Sequence, residues 1–162
     1  MKANTYEYPN FDKFNTFPKL LKHRSEIMPD EVALRNKDLG IWNEITWDEY
    51  NKIVSELAIG LKSIGFKKGD VLALIGDNKP EWVFFEIACH ANGGMSLGVY
   101  RDTLDDEVGY LVKSAKVKFA YAEDQEQVDK LINVQKKLKT KIKVIMVSLL
   151  GGSLWCCPSR VS

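Results

Sequence analysis

The stretch VLALIGDNKPEWVFFEIACHANGGMSLGVY, residues 71–100, decides the fold class of this chain of 162 residues. Two short, nearly uncharged runs, 71–76 and 95–100, flank a longer apolar segment that begins after Pro80. Short apolar runs are typical of strands buried on both faces, and proline suits the first turn of a helix. Because parallel strands need a long crossover connection, the stretch predicts a parallel β-α-β unit.

Upstream of this unit, the sequence predicts a helix followed by a β-hairpin. The helix begins at a cap on Asn15 or Thr16 and continues at helical spacing until a proline stops it. The runs VALRNK (32–37) and GIWNEIT (40–46) then alternate apolar and polar residues around a turn at Asp38-Leu39-Gly40. This pattern favours two antiparallel strands with a tight connection.

A capping box gives the clearest local signal in the chain. Thr46 and Glu49 have the spacing at which the hydroxyl accepts from one amide and the carboxylate accepts from the other. An apolar stripe follows at helical spacing, and Gly65 is placed to end the helix in the left-handed conformation.

Downstream, helices and strands continue to alternate. A helix opens near Thr103, a strand covers 118–123, a helix covers 124–138 and a last strand covers 142–147. The sequence therefore predicts an α/β fold with a mainly parallel, doubly wound sheet, preceded by the N-terminal helix and the β-hairpin.

Composition and charge narrow the class of protein. With 45% apolar and 28% charged residues, and no apolar segment at the start, the chain reads as globular and cytoplasmic. Its longest uncharged run, 144–159, is too short to span a bilayer, so no transmembrane segment is predicted. All 22 acidic residues lie at or before Asp129, but the lysines after it have no neighbouring aromatic residue. We interpret Lys136, Lys137 and Lys139 as a solvated helix end and predict no nucleic-acid partner.

The loops after the strands are the places to look for a ligand site, since doubly wound sheets bind ligands at the carboxyl ends of their strands. The loops concerned are 76–80, 100–102 and 123–127. The first has a single glycine, and Pro80 removes an amide that an anion would need, so the sequence favours a helix cap there. Asp77 and Lys79 are then interpreted as surface charges.

The segment LLGGSLW near the end of the chain has two readings. Gly151, Gly152 and Ser153 follow a predicted strand, as in a phosphate-binding loop, or they mark the interruption of a longer protein. The segment lacks the lysine of a phosphate loop, and the nearest following cation is Arg160, beyond a proline. We therefore predict no cofactor-binding residue in this chain.

Histidine and cysteine offer little chemistry. His90 has no ligating residue three or four positions later, and His23 has only Glu26, which is too few ligands for a metal site, while Cys89 lies within an apolar helix. The adjacent Cys156 and Cys157 are unlike a C-x-x-C motif. With no nucleophile in an activating context, the sequence predicts no catalytic and no metal-ligating residue.

Three segments nevertheless carry a family resemblance. ITWDEY (45–50), the stretch 89–103 and EDQEQVDKL (123–131) resemble the N-terminal part of the AMP-forming acyl-CoA synthetases, specifically the long-chain fatty-acid–CoA ligase branch. The resemblance runs from about Phe17 to Met146. Within the stretch 89–103, many family members have a proline where this chain has Gly98-Val99-Tyr100-Arg101-Asp102. This variation also resembles the long-chain branch.

The resemblance implies a domain organisation and a reaction. It implies an extension at 1–16, a partial AMP-binding domain at 17–146 and a disordered tail outside the family at 147–162. The family adenylates a fatty acid with ATP and then forms a thioester with coenzyme A, in fatty-acid and lipid metabolism. The family's phosphate loop and later motifs have no counterpart here, so the resemblance implies that this chain alone is an inactive, truncated ligase fragment.

The same resemblance sets the expected ligands and partners. ATP, Mg2+ and coenzyme A are cofactors of the full-length family, and none is expected for this chain. Fatty acid and coenzyme A are the family's partners, peripheral contact with a membrane is left open, and no oligomeric state is predicted. One alternative is a stand-alone binding or interaction module built on the ligase fold. A small flavodoxin-like binding protein is the other, and the missing phosphate loop counts against it.

Overall fold

The computed structural model describes residues 8–146, except for the side chains of Asp38 and Met146. The chain divides into two compact units, one ending at Ile53 and the other beginning at Val54. The order of elements is α1 (Phe17–Ile27), β1 (Val32–Asp38), β2 (Ile41–Thr46), α2 (Trp47–Ser63), β3 (Val71–Ile75), α3 (Pro80–Ala91), β4 (Met95–Val99), α4 (Asp105–Ser114), β5 (Phe119–Ala122), α5 (Gln125–Leu138) and β6 (Lys143–Met146).

The N-terminal unit contains the predicted hairpin. β1 pairs with β2 in antiparallel register, with Asp38 opposite Ile41. The two residues between them, Leu39 and Gly40, both have positive φ, 46° and 84°. A two-residue loop of this handedness matches the twist of the flanking strands. The hairpin prediction is therefore confirmed, with leucine at a position that more often takes asparagine or glycine.

The capping box at the start of α2 is also confirmed. The amide of Thr46 donates to Glu49 Oε2 at 2.9 Å, and the amide of Glu49 donates to Thr46 Oγ1 at 3.3 Å. Two amides that have no partner within the helix are thus satisfied by side chains. The helix that follows ends near Gly65, whose φ is 95°. The sequence signals at both ends of α2 involve residues that are close in the chain. Both ends of the helix can therefore be predicted from the sequence alone.

We expect Thr46→Ala to lower the free energy of unfolding by about 1 kcal/mol, because the substitution leaves the Glu49 amide without its side-chain acceptor. Thr16→Ala is the matched control. Thr16 is the N-cap of α1 but makes no side-chain hydrogen bond there, so its loss should stay within about 0.5 kcal/mol. Urea unfolding followed by far-UV circular dichroism measures both, and equal losses in the two variants would contradict the capping role.

The second unit is a four-stranded, wholly parallel sheet in the order β4-β3-β5-β6. β3 lies in the middle, with Leu74 opposite Gly98 on β4 and opposite Tyr121 on β5. All five residues of β3 are buried. The predicted α/β fold with a parallel sheet, an N-terminal helix and a hairpin is confirmed.

Side chains alternate between the two faces of this sheet, and both faces are covered. On one face, Ala73 and Ile75 belong to a core cluster with Val108 of α4 and Leu131 of α5. On the other face, Tyr121 stacks on Phe85 of α3 with ring centroids 4.6 Å apart. Burial on both faces is why the strands read as continuous apolar runs rather than as alternating ones.

Two helices begin close to their predicted positions, but neither N-cap residue makes a side-chain capping hydrogen bond. α4 begins at Asp105 with Leu104 as its N-cap, one residue after Thr103. The N-cap of α3 is Lys79, and its side chain makes no capping hydrogen bond. In α4 the amide of Leu104 instead donates to Glu107 at 3.4 Å. A carboxylate in the first turn therefore accepts from an amide at the start of α4.

Candidate functional site

Three loops of the second unit carry charged side chains where their strands end. β3, β4 and β5 end at Ile75, Val99 and Ala122, and these residues lie in register across the sheet. The loops that follow bring together five charged residues, which we term the carboxyl-edge cluster: Asp77, Lys79, Arg101, Glu123 and Asp124. This edge is where ligands bind in sheets of this class, so it is the candidate functional site.

Arg101 connects the three loops. Its Nη1 lies 2.7 Å from Asp77 Oδ2, and its Nη2 lies 3.4 Å from Asp124 Oδ2. The hydrogen bond to Asp77 is the largest of the causes that raise the pKa of Arg101. A guanidinium suits this position because its planar fork presents several donors at once. Arg101 is thus committed to two carboxylates of its own chain.

Glu123 is the second centre of the cluster. Its carboxylate accepts from the backbone amide of Asp77 and forms an ion pair with Lys79. The hydrogen bond to Glu123 is the main cause of the raised pKa of Lys79. The Glu123 side chain is only 10% exposed, whereas that of Lys79 is 49% exposed. Asp77 and Lys79 are half exposed, in agreement with their interpretation as surface charges, but each also has a specific partner.

Gly76 has a packing role that the sequence did not reveal. A Cβ at this position would lie 2.7 Å from both Cβ and Oε2 of Glu123. Glycine therefore lets the β3 loop approach Glu123 closely enough for the Asp77 amide to reach its carboxylate. The loop leads into α3 as predicted, with Lys79 as the N-cap and Pro80 in the first turn, and it is held by Glu123 rather than by a side-chain cap.

The remaining contacts fix the loop after β4 and the start of α5. Lys130 Nζ donates to the carbonyl oxygens of Arg101 and Thr103, at 2.5 and 2.9 Å. Asp124 caps α5 by accepting from the amide of Gln127 at 3.0 Å. Each loop of the candidate site is therefore tied to a neighbouring loop or helix by side-chain contacts.

Gln127 is an unusual residue in this region. It is fully buried, and neither its carboxamide nitrogen nor its oxygen has a partner among the residues that the structure describes. Its position in the first turn of α5 is one where glutamine often completes a capping box. Here its backbone amide bonds to Asp124 while its side chain does not reach back. The capping-box spacing in the sequence does not predict that the Gln127 carboxamide is buried without a partner.

The described residues of this edge do not fit the triphosphate of ATP. A phosphate site needs free amides converging on the oxygens and cations to balance the charge. Here the Asp77 amide donates to Glu123, Pro80 has no amide hydrogen, and both cations are paired with carboxylates. The contacts of the cluster hold the three loops together.

The other residues singled out from the sequence lie elsewhere. His23 stacks on Phe14 with ring centroids 3.9 Å apart. Nε2 of His90 lies 3.1 Å from Ser96 Oγ, which in turn donates to Glu86 at 3.1 Å. Glu86 precedes His90 by one helical turn, so a search only for later ligands missed this hydrogen-bonded chain between α3 and β4. Within residues 8–146, no three His, Cys, Asp or Glu side chains come together as a metal-binding group.

Cys89 is buried as expected, and burial raises the pKa of its thiol to about 12. A thiol held neutral in this way is a poor nucleophile. The glycines and serine at 151–153 and the cysteines at 156–157 lie outside the described residues, as does the predicted tail. No helix in the described part of the chain combines the length and the apolar character needed to cross a bilayer.

Comparison with known proteins gives this architecture a family. Residues 21–156 match the family model of the AMP-binding enzymes. The match extends past Met146, and the domain boundaries stay predictions. The long-chain-fatty-acid–CoA ligase ACSBG2 of Rattus norvegicus is 23% identical over 138 residues, which are 85% of this chain and 21% of that protein. The chain thus spans about a fifth of the length of this curated relative.

Solved structures agree on the fold. A long-chain-fatty-acid CoA ligase from Rhodopseudomonas palustris superposes with a TM-score of 0.72 at 21% identity, covering 86% of this chain and 34% of that one. A luciferase-like enzyme from the mealworm Zophobas morio gives a TM-score of 0.76 at 19% identity, covering 88% and 32%. These likenesses show the fold, and the match over residues 21–156 shows that the chain belongs to the AMP-binding enzyme family.

Proposed function

We propose that this chain is an N-terminal part of a long-chain fatty-acid–CoA ligase and supplies scaffold for that enzyme without catalysing the reaction alone. The family match and the similarity to the rat ligase support the assignment. The reaction of the whole protein would be ATP-dependent adenylation of a fatty acid, followed by thioester formation with coenzyme A, in fatty-acid metabolism.

The observation that carries the scaffold role is the state of the carboxyl-edge cluster. Both of its cations are paired with carboxylates, and its one well-placed amide is donated to Glu123. Placing a triphosphate there would break these contacts and bring its negative charge next to three carboxylates. Such an exchange of satisfied groups is unfavourable in a partly buried site.

The decisive assay mixes the purified 162-residue chain with ATP, Mg2+, palmitate and coenzyme A and measures the release of AMP. We expect no release above the rate without protein, while full-length rat ACSBG2 serves as the positive control. Titration calorimetry with ATP alone should likewise show no heat of binding. Palmitate-dependent release of AMP would overturn the scaffold proposal.

A binding or interaction module is the second candidate, and exposed apolar residues favour it. On the hairpin, Leu39 is 95% exposed, Ile41 is 67% exposed and Trp42 is 61% exposed. Large apolar side chains gathered on a surface are typical of interaction sites. In the same calorimetric experiment, heat of binding for palmitate without AMP release would favour this module over the scaffold.

A further inference from the structure

The hairpin of the N-terminal unit has an open strand edge. In the part of the chain that the structure describes, β1 and β2 form a two-stranded sheet, so each strand has an unpaired outer edge. The two-residue loop makes Asp38 and Ile41 a hydrogen-bonded pair, and such pairs alternate along the ladder with pairs whose main-chain groups face outward. Trp42 and Glu44 on β2 therefore direct their amides and carbonyls away from β1. Among the described residues, neither main chain has a hydrogen bond beyond the hairpin.

The outer edge of β1 has two features that discourage pairing. By the same alternation, its outward residues are Arg35 and Lys37. In a symmetric antiparallel pair of β1 strands centred on Asn36, these two cations would lie directly opposite each other, which is destabilising. The register of β1 also shifts between Val32 and Leu34. Cations and bulges are common protections of exposed strand edges, so β1 is poorly suited to a partner.

The outer edge of β2, in contrast, is complementary to a second copy of itself. When two β2 strands run antiparallel with Asn43 opposite Asn43, Trp42 of each copy lies opposite Glu44 of the other. Outward main-chain groups then meet outward groups, so each such pair can exchange both of its hydrogen bonds. No like charges lie directly opposite in this register, since an aromatic ring faces a carboxylate.

The charges on one face of the hairpin also suit this register. Lys37 Nζ lies 5.7 Å from the centroid of the Trp42 ring, and Arg35 Nε lies 2.9 Å from Glu44 Oε1. Each row of side chains across both hairpins would therefore read lysine, tryptophan, glutamate and arginine. Every carboxylate in the row has an arginine on one side and, beyond the aromatic ring, a lysine on the other.

The opposite face of the hairpin supplies apolar contact. Successive side chains of a strand alternate between faces, so Ile41 would lie opposite Ile45 of the second copy. Ile41 is 67% exposed in the single hairpin, and pairing would remove part of that apolar surface from water. A hairpin of two strands is only marginally stable by itself, whereas a wider sheet with an apolar face is stable.

We propose that the outer edge of β2 pairs antiparallel with the same edge of a second copy of this chain, which joins both hairpins into one continuous sheet. A two-fold arrangement uses the same edge of both copies and closes on itself, so assembly stops at the dimer. The proposal does not rest on the ligase function, and a chain that releases no AMP still satisfies it.

The test is the mass of the full chain in solution, measured by sedimentation equilibrium over a range of concentrations. We expect the mass to rise with concentration from 18.4 kDa towards twice that value. Proline is tolerated at position 44, because the Glu44 amide faces outward and takes no part in the ladder with β1. Glu44→Pro should raise the dissociation constant of the dimer on the order of thirtyfold, because one main-chain hydrogen bond is lost from each copy.

Arg35→Pro is the matched control on the other edge of the hairpin. It removes the same Arg35–Glu44 ion pair and also an outward amide, but from β1. The dissociation constant should stay within about threefold of the unchanged chain, because an exposed ion pair contributes little. Equal weakening by both prolines would overturn the proposal. A mass that stays at 18.4 kDa throughout would also overturn it, and growth beyond twice that mass would indicate β2 pairing with β1 instead.

A cross-link tests the register without any proline, so it decides the matter even where a proline variant fails to fold. A directly opposed pair without hydrogen bonds brings its Cα atoms to about 4.5 Å, which is within reach of a disulfide. With Cys156 and Cys157 changed to serine, Asn43→Cys should form a disulfide-linked dimer in oxidised glutathione. Asn36→Cys, opposite Asn43 within the hairpin, should not, because two strands would separate its copies. Equal cross-linking of both variants, or of neither, would contradict the proposed pairing.

Discussion

Gly94→Ala is expected to lower the free energy of unfolding by about 3 kcal/mol, at the upper end of the usual cost of overpacking a core. A Cβ on Gly94 would lie 2.4 Å from Cζ and 2.5 Å from Cε1 of Phe66, and 2.9 Å from Cys89 Sγ. Phe66 is 3% exposed and Cys89 is fully buried. Neither side chain can therefore swing out into solvent to make room.

Relief of this clash would disturb a second contact as well. Phe66 packs on Phe119 of β5 with ring centroids 5.0 Å apart, so moving its ring shifts the covering of the sheet. The amide of Gly94 donates to the carbonyl of Cys89 at 3.0 Å, which ties the backbone to the end of α3. A side chain at position 94 would therefore disturb the packing of both α3 and β5.

Gly60→Ala is the control for Gly94→Ala. Gly60 lies within α2, and a Cβ there would meet nothing within 4 Å. Alanine favours a helix over glycine, so this variant should gain up to about 1 kcal/mol. Urea unfolding, followed by tryptophan fluorescence and by circular dichroism, gives both values. If Gly94→Ala proved as stable as the unchanged protein, the close contact with Phe66 would be wrong.

The elements that the sequence predicted well are those with local signals. The Thr46–Glu49 capping box and the 38–40 turn each involve residues a few positions apart, so their chemistry can be read from spacing alone. The buried run 71–75 likewise predicts a buried strand, because it is too short for a helix and is bounded by Gly69 and Gly76. Where the local preferences of the residues agree with the final fold, the element can be predicted from the sequence.

The candidate site could not be predicted in the same way. Arg101 meets Asp77 across 24 positions, and the Asp77 amide meets Glu123 across 46. These partners are chosen by the order of the strands in the sheet, which places the three loops side by side. In the sequence each charge stands among other charges, so nothing distinguishes a paired residue from a solvated one. Gly94 is hidden for the same reason, because its constraint comes from Phe66, 28 positions away.

Gly76→Ala is the second substitution with a large expected cost, about 2 kcal/mol in the free energy of unfolding. Its Cβ would lie 2.7 Å from Cβ of Glu123, an atom fixed by the backbone, and 2.7 Å from Oε2 of the same residue. The β3 loop would have to move away from Glu123. That movement would remove the acceptor of the Asp77 amide and weaken the ion pair with Lys79.

Glu123→Ala separates the two parts of this cost. It removes the carboxylate but keeps the Cβ, so Gly76→Ala introduced into Glu123→Ala should still lose about 1 kcal/mol from the remaining contact between the two Cβ atoms. Urea unfolding of the two single variants and the double variant gives the free energies of unfolding needed for a double-mutant cycle. If Gly76 were an ordinary surface-loop residue, alanine would change the free energy of unfolding by no more than about 0.5 kcal/mol in either background. Such a result would reject the close approach of the β3 and β5 loops on which the carboxyl-edge cluster depends.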